Sequence, residues 1–206
     1  SHGEVRSIGV ESTGSFGATL TRALTKAGVT VVEVNRPNRV ARRMDGKSDR
    51  LDAEQVARSV LGCTATAIPK SKSGIVEVIR TLRVTRSSAV KSRTQAFNTL
   101  WGVMIGAPSP LRDELVVLTK RTLVNRCLRL RPETCELLTL AAEPERMLIA
   151  GTKTALRDLA QRWKALDDGI KTLNKQIEAL VKHAAPELLE LPGVGVEIAG
   201  QFLITA

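Results

Sequence analysis

A heptad repeat near the C-terminal end limits the folds available to this chain. Its apolar positions alternate in steps of three and four without a miss: Leu156, Leu159, Trp163, Leu166, Ile170, Leu173, Ile177 and Leu180. Such a pattern places one apolar stripe along a long helix and predicts pairing with another helix in a coiled coil. The partner is a helix over residues 74–104 folding back, or the same helix of a second subunit. An amphipathic helix on an ordinary helical core is the simpler alternative.

The rest of the second part of the chain is also predicted to be helical. Beyond Ile68 and Pro69 there is no β-prone run, and prolines at 108, 110, 132 and 144 separate the periodic segments. The predicted helices cover about 74–104, 112–130, 133–140 and 152–183.

The first part of the chain has a different pattern, that of a strand–helix–strand unit. A β-prone stretch over Val5–Val10 is followed by a turn and a helical stretch that Gly28 closes, and then by the β-branched run Val29–Val34. A short basic helix over 39–44 and a helix over Asp49–Leu61 should follow. We therefore expect a partial α/β domain over residues 1–62 with a parallel sheet.

The charge balance points to a polyanionic partner. Among 206 residues there are 31 Lys and Arg against 21 Asp and Glu, for a net charge of +10. Aromatic residues make up only 2%, so contacts to phosphates rather than stacking on bases are expected to dominate nucleic-acid binding. The three cysteines lack metal-ligand spacing and indicate reduced thiols in a cytoplasmic protein.

Three acidic residues have positions suited to metal chemistry. Glu11 follows the first predicted strand, and Asp49 and Asp52 lie three apart, on one face, at the start of a predicted helix. Clustered carboxylates bind Mg²⁺ or Mn²⁺ in phosphoryl transfer. The alternative is that Asp49 and Asp52 only favour a helix N-terminus.

Four stretches of the chain resemble one known family. The stretches Ile8–Gly17, Val31–Arg39 and Gly46–Ala53, and later Leu191–Gly195, resemble in order the DEDD transposases of the insertion-sequence one-ten family, relatives of the pilin-gene invertase. The resemblance implies a RuvC-like catalytic domain of RNase H type. It also implies that Glu11, Asp49 and Asp52 are the last three members of a catalytic, metal-binding Asp-Glu-Asp-Asp tetrad.

The resemblance further implies a DNA recombinase that excises and inserts mobile elements. In some members a bridge RNA encoded by the element pairs with donor and target DNA, which makes a guide RNA a candidate partner. The family's first Asp and its C-terminal nucleophilic serine have no counterpart in this sequence, so we expect an internal fragment that is inactive alone. The alternatives are a non-catalytic nucleic-acid-binding coiled-coil protein and a RuvC-like junction nuclease.

Nucleic-acid contacts are expected from two regions. One is the basic group that flanks the acidic pair, Arg36, Arg39, Arg42, Arg43 and Lys47. The other is Leu191–Ala199, which resembles a helix-hairpin-helix turn in which Gly193 and Gly195 let backbone N–H groups approach a phosphate. A plain turn between helices fits the same residues. Two more basic groups lie over 80–93 and 120–131.

Together these patterns predict three domains. They are the partial RuvC-like domain at 1–62, a helical coiled-coil domain at 63–185 that forms a dimer, and the start of a transposase-specific domain at 186–206.

Overall fold

The structure, a computed structural model, describes residues 5–11, 13, 16–34, 49–70, 73–131 and 143–205. The chain divides into two compact units, Ser1–Ser73 and Gly74–Ala206. The predicted short helices over 39–44 and 133–140 lie outside the described residues. The three-domain division stays a prediction.

The first unit contains the predicted strand–helix–strand arrangement. Its elements are β1 (Ser7–Glu11), α1 (Ala18–Lys26), β2 (Thr30–Val34) and α2 (Asp49–Leu61). The two strands pair in parallel, in a register that runs from Ser7 opposite Thr30 to Glu11 opposite Val34. This is the arrangement of a partial α/β domain, and its RuvC-like character stays a prediction.

The predicted stop signal at Gly28 is confirmed by the backbone after α1. Gly28 has φ of +77°, a left-handed conformation that costs glycine little. Its N–H donates to the carbonyl of Thr25 at 3.0 Å, and the N–H of Val29 donates to that of Leu24 at 3.0 Å. This pair of bonds is a Schellman motif, which ends the helix and turns the chain directly into β2.

Helix α2 covers one face of the two strands. A methyl group built at Gly9 would lie 2.6 Å from Cγ1 of Val56 and 2.8 Å from Cγ2 of Val60. The helix can approach β1 this closely only because residue 9 has no side chain. Four valines of this unit are buried: Val34 and Val56 lie on the side of the strands where α2 packs, and Val10 and Val31 lie on the opposite face.

The second unit is helical throughout its described part. Its helices are α3 (Gly74–Ile105), α4 (Ser109–Val116), α5 (Lys120–Leu128), α6 (Pro144–Ala184), α7 (Pro186–Glu190) and α8 (Val196–Thr205). The 41-residue α6 packs lengthwise on the 32-residue α3. No helix in the described ranges has both the length and the apolar character to cross a membrane.

The heptad stripe of α6 faces the interior of this unit. Leu156 and Leu159 join a core with Leu100 and Met104 of α3 and with buried residues of α4 and α5. At the other end, Ile177 packs with Ile79, Val181 and Ala199 in a second core. The stripe therefore packs against α3 of the same chain. Supercoiling of this pair, and a dimer formed through it, stay predictions.

The predicted continuous helix over 112–130 is wrong. The chain forms two helices, because Thr119 adopts an extended conformation, with ψ of 156°, between α4 and α5. The turn lets Leu115 and Leu123 both enter the core beside Leu156. The turn contains neither glycine nor proline, and the helix boundaries predicted from the sequence depended on those residues.

Candidate catalytic carboxylates and basic surfaces

The predicted catalytic residue Glu11 ends β1. It is half-buried, and its register partner Val34 ends β2. Glu11 therefore lies at the carboxyl edge of the parallel pair, the edge at which α/β proteins bind their ligands. Alternate residues of a strand share a face, so Glu11 lies on the same face as Gly9, the face that α2 covers.

Asp52 lies on the helix that covers this face. It is one turn before Val56, and Val56 is one turn before Val60, so the three residues share the side of α2 that contacts Gly9. Asp52 is half-buried. Glu11 and Asp52, which are 41 positions apart in sequence, thus lie on the sides of β1 and α2 that face each other.

The third predicted carboxylate belongs to the same helix. Asp49 is the first residue of α2, one turn from Asp52, and its side chain lies outside the described part. Among the side chains that the structure describes, no group of three His, Cys, Asp or Glu is arranged to hold a metal ion. Carboxylate oxygens are nevertheless the donors that Mg²⁺ and Mn²⁺ prefer, so the donor chemistry fits the expected metal.

The predicted nucleic-acid contacts are placed only in part. Arg36, Arg39, Arg42, Arg43 and Lys47 all lie outside the described residues. Gly193 has φ of +80° in the turn before α8, and Gly195 accepts a 3.0 Å hydrogen bond from the N–H of Ala199. A tight turn into a helix is therefore present, and its contact with a phosphate stays a prediction.

Most cations of the basic group on α3 are paired inside the second unit. Arg80 donates to Glu77 at 2.6 and 2.8 Å, Arg83 and Arg86 both reach the carboxylate of Glu197, and Arg93 pairs with Asp167. These pairs neutralise much of the charge on this helix. The cations outside such pairs are therefore the better candidates for a surface that attracts polyanions.

Two buried hydroxyl groups were not expected from the sequence. Thr13 and Thr21 are only 1% and 8% exposed, and neither side chain has a hydrogen-bond partner among the residues that the structure describes. Both line a cavity of about 600 Å³ beside α1, with Arg22, Lys26 and Lys70 also in its lining. The only sequence signal was the concentration of Ser, Thr and Gly after β1.

Comparison with protein-family models gives a match. The family model for the DEDD transposases of the insertion-sequence one-ten group matches residues 1–106. The description of this family is Transposase. The matched segment contains β1, β2 and the first three helices, and with them Glu11, Asp49 and Asp52. No curated protein matches significantly. No solved structure does so either.

Proposed function

Because the chain belongs to the DEDD transposase family, we propose that it acts in DNA transposition through a divalent-metal site formed by Glu11, Asp49 and Asp52. The packing of Val56 and Val60 against Gly9 supports this proposal most directly. It brings the faces of β1 and α2 that carry Glu11 and Asp52 together. Two rigid elements then hold the carboxylates, as metal-dependent chemistry requires.

The proposed role of each carboxylate is metal ligation. When bound, Mg²⁺ or Mn²⁺ would neutralise charge that develops on the scissile phosphate and lower the pKa of the attacking hydroxyl group. The protein's part is to fix the donor oxygens. Strand register holds Glu11 opposite Val34, and the close approach at Gly9 holds α2.

The partners belong to the same proposal. The net charge of +10 supports binding of a polyanion, and transposition makes DNA the first candidate. A guide RNA, pairing of two subunits along the α3–α6 helices and action in the cytoplasm are proposed on the resemblance to the family.

Mn²⁺ binding followed by calorimetry tests the carboxylate site. We expect the full chain to bind Mn²⁺ at low salt and the double variant Asp49→Ala, Asp52→Ala to lose that binding. Glu11→Gln should weaken it as well, because it removes a ligand from the opposite element. Circular dichroism establishes that each variant is folded.

Glu54 provides the matched control. It is another carboxylate of α2, but it is exposed and hydrogen-bonds Arg58 one turn on at 2.8 and 3.0 Å. Glu54→Gln should bind Mn²⁺ like the unmodified chain. Equal loss in Glu54→Gln and in the double variant would contradict the site, because binding would then depend on surface charge alone. Absence of binding by the unmodified chain would contradict it too.

A further inference from the structure

A cleft of about 360 Å³ lies in the second unit, between α5 and α6. Lys120, Arg121 and Asn125 line it from α5, and Trp163, Asp167 and Lys171 line it from α6. We call it the α5–α6 cleft. It is formed entirely by the second unit, whereas the three predicted metal ligands belong to the first.

Two cations of the cleft lining, Lys120 and Arg121, have no carboxylate partner among the described residues. The ammonium group of Lys120 lies 4.2 Å from the centroid of the Phe97 ring, a cation–π contact that holds the side chain without neutralising it. Arg121 is exposed and has no ion pair or hydrogen bond within the described part. By contrast, Arg126 on the same helix pairs with Glu114.

The backbone adds to this positive potential. Lys120 and Arg121 are the first two residues of α5, whose first turn contains no acidic residue. The hydroxyl of Thr119 contacts that of Thr122 at 2.9 Å and makes no capping bond to the backbone. Two cations thus lie at the positive end of a helix dipole, an arrangement that an anion bound there would stabilise.

The one carboxylate that lines the cleft is already neutralised. Asp167 is 15% exposed and lies between Arg93 and Lys171, with the ammonium group of Lys171 at 2.7 Å. The hydrogen bond from Lys171, and then that from Arg93, lowers the pKa of Asp167. In the wall, Nε1 of Trp163 is a buried donor without an acceptor in the described part. The lining therefore presents a surplus of donors and positive charge.

We propose that the α5–α6 cleft binds the phosphodiester backbone of duplex DNA. Lys and Arg side chains beside a helix N-terminus are typical phosphate contacts and carry no base specificity. Single-strand binding relies on aromatic stacking, for which a chain with 2% aromatic residues has little provision. The choice of DNA rests on the proposed function. The position of the cleft does not depend on Glu11, Asp49 or Asp52.

The salt dependence of DNA binding tests the cleft. Fluorescence anisotropy of a labelled random-sequence duplex is measured over a range of KCl concentrations for the full chain and for the double variant Lys120→Gln, Arg121→Gln. Each lost phosphate contact makes the slope of log affinity against log salt shallower by about one, so the double variant should lose about two. Both side chains are exposed, and the fold should persist.

The control removes the same charge elsewhere. Lys153 and Lys175 lie on α6 outside the cleft lining, and neither has a polar partner in the described residues. Lys153→Gln, Lys175→Gln should keep the original slope. Equal slopes for the two double variants would contradict the proposal that the cleft binds DNA. The same holds if the slope becomes shallower with duplex RNA only. If the unmodified chain binds no DNA, the proposed function itself fails, and the two failures are thus distinguishable.

Discussion

Arg83 of α3 holds the first turn of α8 through Glu197. Its Nη1 donates to the backbone carbonyl of Glu197 at 2.8 Å and to its carboxylate at 3.0 Å. Its Nη2 donates to Oε1 of Gln201 at 3.2 Å, one turn further along. One guanidinium group, 18% exposed, thus fixes a helix that follows it by more than a hundred residues.

Arg83→Ala should loosen α8 from the second unit. Hydrogen bonds to charged groups contribute about 1.5–3 kcal/mol, and the substitution also leaves the carboxylate of Glu197 with Arg86 alone. We expect faster amide hydrogen exchange over 196–205 and a loss of stability of that size. Arg58→Ala, which removes an exposed pair with Glu54, should change stability by less than about 1 kcal/mol. Unchanged exchange in Arg83→Ala would contradict this role.

The long helices could be predicted from the sequence, but the contacts that orient them could not. The stripe from Leu156 to Leu180 defines α6 because apolar periodicity is a local property. The partner helix α3 carries a similar stripe that begins with Ile75, Ile79 and Leu82 and ends with Ala96 and Leu100. Between these two apolar parts, Arg86 and Arg93 occupy positions of the same repeat. These arginines hide the repeat, because their partners Asn174 and Asp167 are supplied by α6.

The proposed carboxylate site shows the same division between what could and what could not be predicted. Positions of Glu11 and Asp52 at the ends of elements could be predicted, since strand and helix signals surround them. The facing of their two elements depends on Gly9 meeting Val56 and Val60, a contact between distant segments. A single glycine in a strand indicates close approach of some element without identifying which one.

Gly9→Ala should destabilise the first unit. The added methyl group would lie 2.6 and 2.8 Å from two valine methyl groups, so the valine side chains or α2 itself must shift, at a cost of about 1–3 kcal/mol. Gly169→Ala is the matched change in α6, where nothing lies within 4 Å of the added methyl group. It should stabilise the chain by about 0.5–1 kcal/mol. Thermal unfolding followed by circular dichroism measures both, and equal effects would contradict the packing.

Cys127 should make stability fall at alkaline pH. Burial in the core raises the pKa of this thiol to about 11, against an ordinary value of 9.0. The unfolded chain therefore loses the proton first, and the stabilisation present below about pH 9 is lost as pH rises to about 11. Cys127→Ala should flatten the fall in unfolding free energy between these values. An identical pH profile for the variant would exclude this linkage.

Asp167 should contribute stability that is lost in acid. Its pKa is lowered, first by the hydrogen bond from Lys171 and then by that from Arg93, so the folded state holds the charged form. The stabilisation is complete above the ordinary pKa of 3.8 and disappears as pH falls through the lower, folded value. Asp167→Asn should cost about 1.5–3 kcal/mol at neutral pH and make the acid dependence of unfolding shallower.

Substitution of Asp168 is the control that distinguishes the stability contributed by Asp167 from a general effect of surface charge. It neighbours Asp167 and pairs with Lys164 and Lys171, but its side chain is 52% exposed, against 15% for Asp167. Exposed pairs are screened by solvent, so Asp168→Asn should lower stability much less than Asp167→Asn does. Denaturant unfolding over a series of pH values compares the two variants. Equal losses of stability would mean that the pairing of Asp167 with Arg93 of α3 adds no stability beyond its pairing with Lys171 of α6. A larger loss in Asp167→Asn would mean that the polar contact between the long helices contributes to the stability of the unit.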